Sequence, residues 1–144
     1  MDTNFYAKKI TNAFLRNKLI LPLPVKYSKK LSKANAFRKL CESQIKKPII
    51  GFKAGGTGLP LLKKLGEKEP FYASVYKHNV LKNNSTVKKN NYTLGIELEV
   101  CYMIKKNFFH QKKRITKTNI NKLITYIGPC IEVVGYRQKK NGIK

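Results

Sequence analysis

Leu94-Gly95-Ile96-Glu97-Leu98-Glu99-Val100-Cys101-Tyr102-Met103-Ile104 holds two of only seven acidic residues in a chain with 31 lysines and arginines and a net charge of +24. A β-strand sends successive side chains to opposite sides. In a strand, Leu94, Ile96, Leu98, Val100, Tyr102 and Ile104 form one unbroken apolar face, and Glu97 and Glu99 share the other with Gly95, Cys101 and Met103. Two carboxylates side by side in partly apolar surroundings repel each other and lose hydration. A cation between them relieves both costs; a solvent-facing strand edge relieves only the second. A third carboxylate, Glu132, lies in a similar run, Cys130-Ile131-Glu132-Val133-Val134.

The rest of the chain bounds what such a strand can belong to. Its 144 residues, 42% hydrophobic with 15 aromatics, suffice for one folded domain and are too apolar for a disordered chain. No apolar run approaches the roughly 18–20 residues of a membrane span, and the start Met1-Asp2-Thr3-Asn4 lacks a secretory pattern. The expectation is therefore a cytoplasmic protein without membrane association. Cys41, Cys101 and Cys130 are odd in number and widely spaced, as free thiols in a reducing compartment are. His78 and His110 show no ligand spacing, so the carboxylates point to a hard, oxygen-liking ion, Mg²⁺ or Mn²⁺, rather than zinc.

The basic charge has two readings. Phosphate backbones attract a +24 chain. Yet 27 of the cations are lysine, and only Arg16, Arg38, Arg114 and Arg137 offer the bidentate fork on which nucleic-acid readers lean. A lysine-rich solvated surface is the first reading and RNA or ribosome binding the second.

Along the chain, residues 3–17 read as an amphipathic helix capped by Asp2 or Thr3, with Phe5, Tyr6, Ile10, Ala13 and Phe14 on its apolar side. The run 21–24, Leu-Pro-Leu-Pro, ends it. Ser32 is placed to cap a second helix reaching Lys46, with Ala36, Phe37, Leu40, Cys41, Gln44 and Ile45 inward and Pro48 as its stop. Residues 48–54 read as a buried strand entering the turn Gly55-Gly56-Thr57-Gly58, which serves either as a tight turn or as a nest of N–H groups for an anion. A short helix over 59–65 closes at Gly66, and 71–76 is a second strand. Residues 82–91 are a polar turn region with a short strand near 85–88; 92–104 is the glutamate strand and 107–117 a charged loop. Residues 118–127 read as a helix capped by Thr116 or Thr118, broken by Gly128-Pro129 ahead of a last strand over 130–136. The expected organisation is a helical segment, 1–47, leading into a β-rich part, 48–144, as one structural unit.

Four segments stand in an informative order: Gly51-Phe52-Lys53-Ala54-Gly55-Gly56-Thr57, Leu65-Gly66-Glu67-Lys68-Glu69-Pro70, Glu97-Leu98-Glu99, and Pro129-Cys130-Ile131-Glu132-Val133-Val134-Gly135-Tyr136-Arg137. Together they resemble the 2-keto-4-pentenoate hydratase family within the fumarylacetoacetate hydrolase-like superfamily, over about residues 46–137. The resemblance implies an α+β fold, with amino-terminal helices followed by part of a mixed β-roll or β-sandwich. It implies that Glu97, Glu99 and Glu132 ligate Mg²⁺ or Mn²⁺ and that Lys53 moves a proton or binds substrate. The implied activity is that of a lyase of aromatic catabolism, hydrating a 2-hydroxy-2,4-dienoate to a 4-hydroxy-2-oxo acid. Decarboxylation of a 2-oxo-enedioate on the same scaffold is the alternative, and a homo-oligomer is implied at full length. Two departures stand out. Phe71-Tyr72-Ala73 occupies the place of an Asp-Phe-Gly turn to which the family gives acid–base duties. The chain also stops 12 residues after Glu132, the length of a fragment or short form, for which exposed apolar surface and association with a partner are expected. A non-catalytic cationic protein binding RNA or the ribosome is the rival from another class.

Overall fold

A computed structural model describes residues 2–20, 22–90, 92–106, 115–136 and 138. The fold is mixed α+β, with three helices and two two-stranded antiparallel sheets among the described residues. Two compact units divide the chain: residues 1–88 with 137–144, and residues 89–136. The anticipated division at 47/48 falls inside the first.

The first unit begins with helix α1, Thr3–Leu15. The Asp2 carboxylate accepts the Asn4 N–H at 3.1 Å, satisfying one of the helix's orphan donors, and Asn17 turns left-handed (φ 53°) just beyond its end. That turn stops the helix two residues short of its expected end. Helix α2, Leu31–Gln44, starts from Lys30 without a side-chain cap, so Ser32 sits inside its first turn. The two helices meet at Ala7 and Thr11 on α1 and Phe37 and Cys41 on α2. Ala7, wholly buried, lets the helices approach, and the Thr11 hydroxyl donates to the Cys41 carbonyl at 3.3 Å. Phe5, placed on the apolar side by its spacing, is exposed instead, because the contact runs along the 7/11 stripe. Tyr27 closes this core, its ring stacked on Phe37 with centroids 4.5 Å apart. Burial, and then the nearby Glu42 carboxylate, push the Cys41 thiol up to about 11.

Strand β1, Ile49–Gly55, pairs antiparallel with β2, Phe71–Tyr76, in the register Phe52↔Ser74, Lys53↔Ala73 and Gly55↔Phe71. Helix α3, Leu59–Leu65, joins them and ends at Gly66 in the left-handed region (φ 68°), where a side chain is disfavoured. The Phe71 ring lies over Gly55 and Gly56, occupying the space any side chain there would need. Glycine at 55–56 is thus accounted for by packing.

The second unit is a long hairpin. Strand β3, Thr93–Ile104, pairs with β4, Ile124–Gly135, with Gly95↔Val134, Glu97↔Glu132, Glu99↔Cys130 and Cys101↔Gly128 on one face. On the other face Ile96, Leu98, Val100 and Tyr102 oppose Val133, Ile131, Pro129 and Ile127. The alternation anticipated for 92–104 is therefore present, but both faces of the strand are largely exposed.

Two expected elements differ. Residues 118–127 are not a helix: a turn and a single 3-10 turn, Ile120–Lys122, lead into β4 at Ile124. Ile120, Leu123, Ile124 and Ile127 have helical spacing, but Ile124-Thr125-Tyr126-Ile127 is also a β-branched and aromatic run, and pairing with β3 wins. The capping residues act locally, Thr116 and Asn119 exchanging N–H to side-chain oxygen bonds of 2.8 and 3.3 Å. Gly128-Pro129, expected to break the chain, lies within β4. An edge strand tolerates a proline, and the Tyr126 ring lies over Gly128. The short strand anticipated near 85–88 is absent from that segment. Most of the loop anticipated at 107–117 lies outside the described residues, as does Arg137.

Candidate metal centre

Register brings the three glutamates together. Glu97 lies directly across from Glu132, and Glu99, two residues further along the same face, lies across from Cys130. Directly opposed β residues hold their Cβ atoms about 4.5–5.5 Å apart, and like charges so placed are destabilising. Each glutamate offers a carboxylate oxygen within 4.8 Å of the other two; Glu97 is exposed, while Glu99 and Glu132 are half-buried.

The donor set fits a hard divalent cation. Oxygens bound at about 2.1 Å to an octahedral ion stand roughly 3 Å apart when adjacent and 4.2 Å when opposite. The three carboxylates each offer an oxygen within 4.8 Å of the others, near that range. Three anionic oxygens from two strands leave further positions for water or a ligand's oxygens.

Cys130 borders the trio. Desolvation on the sheet surface, followed by the negative potential of Cys101, Glu99 and Glu132, raises its thiol above the ordinary range. Cys101 and Cys130 are both exposed free thiols. Strand alternation already put Cys101 on the face of Glu97 and Glu99, whereas only the register sets Cys130 directly across from Glu99.

Lys53 lies elsewhere in the chain's organisation, exposed on β1 of the first unit and paired with Ala73, whereas the glutamates belong to the second unit. Phe71, where the family pattern has its aspartate, is an aromatic lid over the glycine turn and has no acid–base capacity.

Glu42 went unremarked in the sequence. It is half-buried on α2, forms an ion pair with Arg38 and accepts the Ser74 N–H of β2 at 3.2 Å. Burial opposes its ionisation, but hydrogen bonds from Arg38 and Ser74 outweigh that and hold its carboxyl below the usual range. The Arg38 guanidinium lies 4.4 Å from the centre of the Tyr72 ring. The i, i+4 spacing of Arg38 and Glu42 was the available signal.

No protein-family model, curated protein or solved structure matches this chain. No helix among the described residues is long and apolar enough to cross a membrane.

Proposed function

We propose that the chain is a metal-dependent hydro-lyase, related to the 2-keto-4-pentenoate hydratases, that adds water to a 2-hydroxy-2,4-dienoate in the cytoplasm. Its second unit would belong to a fumarylacetoacetate hydrolase-like β-roll. The observation that carries this reading is the convergence of Glu97, Glu99 and Glu132 within 4.8 Å on one sheet face of a chain with only seven acidic residues. Selection for solubility alone gives no reason to oppose two glutamates directly in a protein of net charge +24.

These three carboxylates would hold Mg²⁺ or Mn²⁺. When bound, such an ion polarises the 2-oxo and carboxylate oxygens of the substrate class and stabilises negative charge developing on them. Lys53 is the proposed group for binding the anionic substrate or moving its proton, a role that rests on the four-segment resemblance.

Titration calorimetry with Mn²⁺ tests the first step. Wild type is expected to bind with heat, and Glu97→Gln, Glu99→Gln and Glu132→Gln each to weaken binding at least about tenfold, as loss of a charged ligand should. Loss of dienol absorbance on adding a 2-hydroxy-2,4-dienoate tests the second; Lys53→Met should abolish that loss while leaving Mn²⁺ binding unchanged. Heat of binding indifferent to all three glutamine substitutions overturns the metal reading and the enzyme with it. The net charge favours one second reading, an RNA-binding protein. Salt-sensitive RNA retention without metal binding would support it.

A further inference from the structure

We propose that Cys101 and Cys130 form a binding site for a soft, thiophilic cation, Cu(I), on the face of the β3–β4 hairpin that also carries the glutamates. The register sets Cys101 across from Gly128 and Cys130 across from Glu99, so the two cysteines are diagonal neighbours on that face. Their thiols are exposed and within hydrogen-bonding reach of each other. Both belong to the second unit, and the site takes nothing from the first.

Geometry decides what joins the two sulfurs. Diagonal residues of an antiparallel pair hold their Cα atoms about 7–8 Å apart, beyond the roughly 4.4–6.8 Å that a disulfide spans. An ion between the sulfurs adds two metal–sulfur bonds of about 2.3 Å each, and so bridges the diagonal without moving the backbone. Ligand softness and number then select the ion. Thiolates favour soft cations, whereas Mg²⁺ and Mn²⁺ go to carboxylates. Zn²⁺ asks for four ligands, but the group of three converging ligands among the described residues is the glutamate trio, which contains neither thiol. Two thiolates alone complete a linear, two-coordinate Cu(I). Charge favours a cation here as well. The 12 residues of β3 and the 12 of β4 contain no lysine or arginine, and Glu99 and Glu132 add negative potential at Cys130. On binding, two S–H bonds are lost and two Cu–S bonds form; both protons go to water and no electron is transferred.

Anaerobic titration of the whole chain, with Cu(I) supplied as its coloured bicinchoninate complex, tests the site. Wild type should withdraw one Cu(I) per chain and bleach the complex. Cys101→Ser and Cys130→Ser should each weaken uptake at least about 100-fold, because a single thiolate leaves a two-coordinate ion half-bound. Cys41→Ala, at the buried thiol of the first unit, should leave uptake unchanged. Glu99→Gln should weaken Mn²⁺ binding yet leave Cu(I) uptake within about threefold, so this site and the hard-metal reading fail separately. Circular dichroism checks that the serine variants are folded. Copper-edge X-ray absorption of the loaded wild type, which needs no variant, should show two sulfur neighbours. The proposal is overturned by a wild type that takes up no Cu(I), by uptake indifferent to both serine substitutions in folded protein, or by copper surrounded by oxygen and nitrogen alone.

Discussion

Glu42 ionises against the cost of its own burial because Arg38 and the Ser74 N–H both donate to it. Its folded-state value is depressed, so the resulting stability is complete above the unfolded value, about 4.3, and is lost as pH falls through the folded value. Glu42→Gln should therefore cost about 1–2 kcal/mol near neutral pH, the worth of hydrogen bonds to a charged group. It should also flatten the loss of stability on acidification, read from urea midpoints between pH 3 and 6. An acid limb as steep in the variant as in wild type would assign that limb to other carboxylates. The scarcity of acidic residues made Glu97, Glu99 and Glu132 conspicuous in the sequence. The same scarcity applied to Glu42, but its link to Ser74, 32 residues away, depends on how α2 meets β2. Spacing along the chain does not encode that meeting.

At the scale of the element, glycines separate packing from mere permissiveness. In β4, a side chain at Gly128 meets the Tyr126 ring, whereas in β3 Gly95 has open space around it and its φ is negative. Gly128→Ala should destabilise the hairpin by at most about 1 kcal/mol, because the far end of the exposed Tyr126 ring can swing aside. Gly95→Ala should be neutral or stabilise by about 0.4–1 kcal/mol through the unfolded state. Thermal melts of the two variants give opposite signs if the ring is where the structure puts it. The elements also show what a sequence can specify. Residues 93–104 alternate so regularly that no helix competes, and Gly66 ends α3 as anticipated because its left-handed geometry is local. Residues 118–127 satisfy both periods, and only the presence of β3 alongside decides between them.

For the whole molecule, charge and sheet area dominate. Seven carboxylates cannot pair 31 cations, so the folded chain repels itself. Raising NaCl from 0.05 to 0.5 M should shorten the Debye length to a few ångströms and raise the melting temperature by a few degrees. A flat or falling melting temperature would mean that ion pairs outweigh the repulsion. The α+β class was legible from the order of helical and alternating segments. The two-unit division was not, because the boundary at residue 88 falls within the polar run 82–91, whose composition suits a turn inside one unit as well as a linker between two.

The lysine-free strands have a consequence for enzymatic digestion. Trypsin cuts only after lysine and arginine, so complete digestion dices the rest of the chain but releases residues 90–105 and 123–137 as two intact, strongly apolar peptides. Each carries one strand of the hairpin, the first with Glu97 and Glu99 and the second with Glu132. A ligand or label attached to either strand would therefore be traceable by mass to a single fragment.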